Sequence, residues 1–210
     1  MDRPTMDDDF FKSSESSVKQ RIESFADELE PISLARPKSI ELGCPAISAG
    51  VGSLLRTLCT TIDAKHVVDV GTGVGISAAW LSLGLAEDGT ITSIDIESEY
   101  QKSAKELLNI IGVNSNQVRL LAGRANLVLS KLTDNGYDLV FVDVNQFDAS
   151  ALLEDAVRLI RNNGLLIVHG VLSARENSAK LLTELIHESD DFDSSIIPLG
   201  QGLVVAARKS

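Results

Sequence analysis

The 210-residue chain predicts a doubly wound α/β fold, a mostly parallel sheet with helices on both faces and an antiparallel hairpin at its C-terminal end. Three observations carry this. From residue 66 onward, β-branched runs alternate with helical patterns. One such run, Val67-Val68-Asp69-Val70, passes straight into Gly71, Gly73 and Gly75 and then a helical pattern, which is a strand–turn–helix junction. At the end of the chain two strand patterns, 194–197 and 203–207, follow each other across Pro198-Leu199-Gly200-Gln201-Gly202 with no helix between them.

In chain order, residues 1–16 are polar and acidic, with Ser13, Ser14, Ser16 and Ser17 close together, and read as a flexible arm ahead of a single domain over 17–210. Phe10 and Phe11 in that arm are either an anchor onto a neighbouring subunit or a loose apolar pair. Residues 17–30 carry Ile22, Phe25, Ala26 and Leu29 on one helical stripe, and Pro31 and Pro37 mark a loop after it. A second helix over 49–61 places Val51, Leu54, Leu55 and Leu58 on its apolar side. Strands follow near 66–70, 90–95, 117–122, 139–143 and 164–169, separated by helices near 75–86, 98–112, 124–133, 148–162 and 174–189.

A composition of 44% hydrophobic and 23% charged residues is that of a chain with a full apolar core. The formal net charge of −11 argues against binding nucleic-acid backbones and supplies no basic surface for anionic lipid. No apolar run approaches a membrane span, and Met1–Asp9 lacks the basic and apolar parts of a secretory leader, so the expected location is cytoplasmic. Cys44 and Cys59 have no metal-ligand spacing and read as plain thiols.

The glycine turn is the strongest pointer to function. Bare backbone lets a ligand approach closely, and N–H groups at a helix start favour a negative group. A dinucleotide fingerprint, G-x-G-x-x-G, needs its third glycine at position 76, which is Ile76. An acid, Asp69, stands two residues before the first glycine. Asp95 ends the next strand twenty residues past Gly75, where a carboxylate accepts hydrogen bonds from ribose hydroxyls. An unliganded βα turn would not need three glycines, which cost chain entropy. A nicotinamide-dependent oxidoreductase therefore ranks behind another adenosine cofactor, and Ile76 and the terminal hairpin both weigh against it.

The spacing Asp69-x-Gly71-x-Gly73-x-Gly75 resembles motif I of the Rossmann-like, S-adenosylmethionine-dependent methyltransferases. The likeness runs from about residue 40 to the C-terminus. It includes Ala46-Ile47-Ser48, Ser77, Asp95, Gly123-Arg124-Ala125, the strand Tyr137–Asp143 and the Pro198–Gly202 turn. It is similar to the small catechol and caffeoyl-CoA type of O-methyltransferase, and in particular to short actinobacterial members. The resemblance implies roles residue by residue. Asp69 takes the cofactor's ammonium, while Gly71 and Thr72 contact its methionine part through backbone, with Gly73 in the same cradle. Ser77 donates to its carboxylate or else satisfies a backbone group at the helix start. Asp95 binds ribose, Ile96 lies against adenine, Ala125 lies at the adenine edge, and Ile47 closes the pocket. A homodimer is implied in the same way.

The departures are equally specific. Metal-dependent relatives continue the fourth strand as Asp-Ala-Asp-Lys and end the fifth in Asp-Asn. Here the corresponding residues are Asp143, Asn145 and Gln146, then His169 and Gly170. One ligand of three survives, so the residues argue against a bound divalent metal, although Asp143 with His169 is a chemistry that zinc tolerates. Two catalytic candidates remain. Asp143 can accept a hydrogen bond from the acceptor, and His169 is of the residue type suited to general-base work near neutral pH, or else simply packs at a strand end. The expected activity is methyl transfer from S-adenosylmethionine to a hydroxyl of a small molecule, with a catalytically impaired, cofactor-binding regulatory protein as the alternative. No Asn/Asp-Pro-Pro-aromatic motif follows Asp143, which again disfavours nucleic acid as acceptor.

Overall fold

A computed structural model describes residues 15–143, 147–173 and 177–210, with side chains from residue 18. Its elements are α1 (Glu15–Phe25), α2 (Glu30–Glu41), α3 (Ala49–Thr61), β1 (His66–Val70), α4 (Ile76–Ser82), β2 (Thr90–Asp95) and α5 (Ser98–Ile110). They continue as β3 (Val118–Ala122), α6 (Ala125–Leu129), β4 (Tyr137–Val142), α7 (Ala149–Leu159), β5 (Ile160–His169), α8 (Asn177–Glu188), β6 (Phe192–Ile197) and β7 (Leu203–Arg208). The sheet order is β3-β2-β1-β4-β5-β7-β6. The first five strands are parallel, and β7 pairs antiparallel with both β5 and β6. This is the expected doubly wound sheet with its C-terminal hairpin.

Strand parity sorts the side chains. Val67, Leu139, Phe141, Leu165 and Ile167 point to the face covered by α3, α4 and α5, where Leu55, Trp80 and Leu81 are buried. Val68, Val70, Val140, Val142, Leu166 and Val168 point to the face covered by α7 and α8. With a period of two, Asp69 falls on the Val67 face, beneath α4. The parallel strands are apolar on both faces, as covered strands must be.

The expected loop at Pro31 and Pro37 is instead helix α2. Pro31 sits in its first turn, where a missing N–H costs nothing. Pro37 lies inside the helix, which continues because Ile32 is fully buried in the core and Arg36 and Ser39 are tied down by hydrogen bonds. The strand expected over 164–169 starts at Ile160, with a register shift against β4 between Tyr137 and Leu139. Asn163 takes a positive φ there, a conformation asparagine tolerates better than most residues. Helices α4 and α6 are shorter than their patterns suggested, and α1 ends at Phe25 rather than 30. Phe10, Phe11, Asn145 and Gln146 lie outside the described residues.

Candidate active site

The chain crosses from β3 back to β4 beside β1, and this switch point is where open α/β sheets place ligands, beyond the C-terminal ends of the strands. A cleft of about 670 Å³ opens there. Its floor is the β1–α4 turn, and its walls come from the ends of β2 and β4, the segment 43–47, the start of α6 and the first turns of α7.

The turn is built by its own backbone. Gly71 and Thr72 N–H both donate to Ile94 carbonyl oxygen, at 2.9 and 3.2 Å, and Gly75 N–H donates to Thr72. Gly73 N–H donates to Asp95 Oδ2 at 2.8 Å. These four donors are thus spent within the protein. Gly75, at φ +91°, could carry no side chain, since a Cβ there would come within 2.8 Å of Ala104 Cα on α5.

Asp95 is held at both oxygens, Oδ2 by Gly73 and Oδ1 by Glu97 N–H at 3.0 Å, and it lines the cleft with Ile96, which is 59% exposed. Gly71, Thr72, Gly73, Ser77, Ala125, Ile47 and Asp143 also line it. The Ile47 segment is fixed from behind, because Arg36 Nη1 donates to Ile47 carbonyl oxygen at 2.7 Å while its guanidinium pairs with Glu28.

Asp69 is not on the cleft wall. It is fully buried behind the turn, where Oδ2 accepts from Ser93 Oγ at 2.6 Å and Ser77 Oγ at 3.2 Å, and Thr72 Oγ1 bonds Ser93 in turn at 2.7 Å. Oδ1 is buried without a partner. Burial pushes the Asp69 carboxyl up to about 7, against the lowering effect of the two serine hydroxyls and with the added repulsion of Asp143 and Asp95. Ser77 reaches the cleft but turns its hydroxyl to Asp69, so neither sequence expectation for it describes this arrangement.

His169 also stands behind the wall. Its side chain is 8% exposed, and Nδ1 lies 2.8 Å from Asp143 Oδ1, so Asp143 faces the cleft with the imidazole at its back. The other nitrogen, Nε2, is buried with no partner. Strand parity brings them together, since His169 falls on the Ile167 face of β5 and Asp143 follows β4 in step with Phe141.

Sequence reasoning missed several wall residues. Tyr100 lines the cleft from α5, its hydroxyl bonded to Leu42 carbonyl oxygen at 3.0 Å, and Phe147, Leu152 and Asp155 line it around α7. None lies in a motif; only nearness to Asp95 and Asp143 could have pointed to them. Cys44 is half-buried on the wall, and burial, then Asp95, raises its pKa, so it remains a thiol. Asp95, Glu97, Asp143, Asp148 and Asp155 give the wall a negative character, against Arg124 as its single cation among the described residues. That lining opposes a pyrophosphate and suits a cationic ligand.

Fold and site together define a Rossmann-like methyltransferase domain. The sequence profile of the O-methyltransferase family matches residues 27–209. A protein of Mycobacterium sp. (strain KMS) assigned to the O-methyltransferases is 38% identical over 188 residues, covering 84% of this chain and 86% of its own. One from Mycolicibacterium smegmatis with the same assignment is 36% identical over 207 residues, 93% of this chain and 99% of its own. Among solved structures, a Corynebacterium glutamicum protein superposes with a TM-score of 0.84 at 29% identity, covering 93% of this chain and 97% of its own. The O-methyltransferase TomG of Streptomyces achromogenes, involved in tomaymycin synthesis and solved with S-adenosylmethionine, gives 0.80 at 26% identity over 92% of this chain and 96% of its own. The chain belongs to the O-methyltransferase family.

Proposed function

We propose that this protein transfers a methyl group from S-adenosylmethionine to a hydroxyl of a small molecule. The observation that carries the reading is Asp95, a strand-end carboxylate tied to the glycine turn and open to a cleft whose charged lining residues are mostly acidic. In it Asp95 takes the ribose hydroxyls, Ile96 and Ala125 flank the adenine, Ile47 closes one side, and Gly71, Thr72, Gly73 and Ser77 cradle the methionine part. Asp69 supports the cradle through Ser77 and Ser93 rather than by direct contact. The acidic lining fits a cofactor that carries a net positive charge.

Bound there, S-adenosylmethionine supplies a methyl group on a sulfonium, which passes to the acceptor oxygen as the carbon–sulfur bond breaks and its electron pair returns to sulfur. The chain's own residues orient the acceptor, exclude water and receive its proton, and Asp143, a cleft-lining carboxylate backed by the His169 imidazole, is the group assigned that task. We further propose that residues 17–210 act as one catalytic domain in the cytoplasm, without nucleic-acid partners. The net charge of −11 supports the last point, and no described helix is long and apolar enough to cross a membrane. A homodimer fits the exposed Leu34 and Ile40 on α2 and Ile110 on α5, and sedimentation tests it.

Calorimetry with S-adenosylmethionine, its demethylated product and NAD, followed by methyl transfer to a panel of phenols, tests the central reading. Binding of the first two and turnover of at least one phenol are expected. Tight NAD binding alone would restore the oxidoreductase reading, and cofactor binding without any turnover would favour the regulatory one. Asp95→Ala is expected to weaken cofactor binding at least about tenfold, the scale of hydrogen bonds to a charged group.

A further inference from the structure

We propose that Asp143 and His169 work as a metal-free pair, in which the buried imidazole fixes the acceptor-facing carboxylate. The inference rests on the methyltransferase reading above. It begins with the donor set. A magnesium-type ion requires about six hard oxygen ligands in near-octahedral geometry. The described ends of β4 and β5 offer one carboxylate, Asp143, and its Oδ1 is engaged by His169 Nδ1 at 2.8 Å. The next position, Gly170, has no side chain, and its N–H is committed to Gly202 carbonyl oxygen at 2.8 Å. No group of three His, Cys, Asp or Glu able to hold a metal occurs among the described residues.

A softer ion fares no better. In a carboxylate–histidine–zinc arrangement the carboxylate orients one ring nitrogen and the opposite nitrogen binds the metal. Here the opposite nitrogen, Nε2, is buried beneath the hairpin turn, 3.3 Å from where a Cβ of Gly200 would stand. That turn packs tightly, since the same Cβ would lie 2.7 Å from Val51 Cγ2. The absence of a side chain at Gly200 leaves room for the ring.

The order from the cleft inward is therefore Asp143, His169, then the Gly200 turn. Nδ1–H donates to Oδ1 and holds the carboxylate in one orientation, leaving Oδ2 to receive the acceptor's hydroxyl proton as the oxygen takes the methyl group. His169 is a positioning residue, since it reaches the acceptor only through Asp143.

Turnover of the full-length protein should be unchanged by a strong chelator and by added Mg²⁺ or Zn²⁺. A loss or gain of about tenfold would overturn the proposal. His169→Asn keeps an N–H donor near the place of Nδ1, whereas His169→Leu and His169→Gln do not. The Asn variant should retain most of kcat, and the other two should lose about tenfold or more, with KM for the cofactor unmoved in all three. Melting temperatures control for folding, and if the Leu variant does not fold, the Asn–Gln contrast decides. Equal kcat in folded Asn and Gln variants removes the positioning role. If no acceptor is turned over, the methyltransferase reading fails by itself, and direct calorimetric titration with Mg²⁺ or Zn²⁺ still decides the metal question. A metal site that Asp143→Asn abolishes would overturn the proposal; no such site sustains it.

Discussion

Asp69 shows how one side chain links the turn's stability to pH. Its carboxyl is fully buried, and burial raises it from 3.8 to about 7. The folded state therefore binds a proton that the unfolded chain releases between those values. Stability is fully present below about pH 4 and falls as pH rises toward 7, by at most about 1.4 kcal/mol per pH unit for a single group. Asp69→Asn, which cannot ionise, should remove this slope. Urea denaturation of both proteins between pH 4 and 8 measures it, and parallel curves would refute the linkage. A cationic ligand above the turn favours the ionised carboxyl, so Asp69 should add a rise of cofactor affinity with pH over the same window that the Asn variant lacks. The sequence offered Asp69 as a direct cofactor contact because an acid before a glycine turn is all that a motif records. That Ser77 and Ser93 enclose it depends on β2 pairing with β1 and α4 crossing above, which no local pattern encodes. His169 is a similar case. Its residue type and its position at the end of the fifth strand, where relatives carry Asp-Asn, made it visible as a candidate, while its place behind Asp143 comes from the β4–β5 register and from Gly200, thirty-one residues later.

At the scale of elements, the strands were legible because each couples a β-branched run to a turn signal, and the sheet's doubly wound order followed from their alternation with helices. Helix α2 was not legible. Its two prolines read as breakers, yet the first occupies a helix start, and the second is carried by packing of Ile32 and by the Arg36 bonds to Glu28 and Ile47. Tertiary contacts overrode local propensity, and because that helix supports the cleft through Ile47, part of the site was hidden with it. The third glycine of the turn illustrates the opposite case, a motif residue whose role is wholly in packing. Gly75→Ala meets both a positive φ and the backbone of Ala104, so it should cost about 2–4 kcal/mol. Gly112→Ala provides the comparison, because φ is +85° but nothing lies within 4 Å, and about 1 kcal/mol is expected from conformation alone. Equal losses in urea denaturation would mean that the α4–α5 approach yields to a methyl group.

Over the whole molecule, acidity and cofactor choice are connected. The net charge of −11 excluded partners in the sequence reading without indicating where the negative charge would act. The fold gathers Asp95, Glu97, Asp143 and Asp148 on one cleft, with Asp155 largely answered by Arg158 at 2.8 Å and Arg124 as the remaining cation of the described wall. A ligand entering this cleft feels a field from several carboxylates within roughly one Debye length at physiological salt. S-adenosylmethionine carries one net positive charge, and its demethylated product carries none, while the two share every other contact. Their affinities should therefore respond differently to salt. Between about 20 mM and about 500 mM sodium chloride, binding of the charged cofactor should weaken several-fold and binding of the product much less. Calorimetry at matched pH measures both. Asp148→Asn, which removes a wall charge but keeps a side-chain oxygen for the α7 N-cap, should shrink the gap between them. If cofactor and product lose affinity in equal proportion, the cleft's charge is not what distinguishes them, and selection between the two must come from the fit around the methyl group itself.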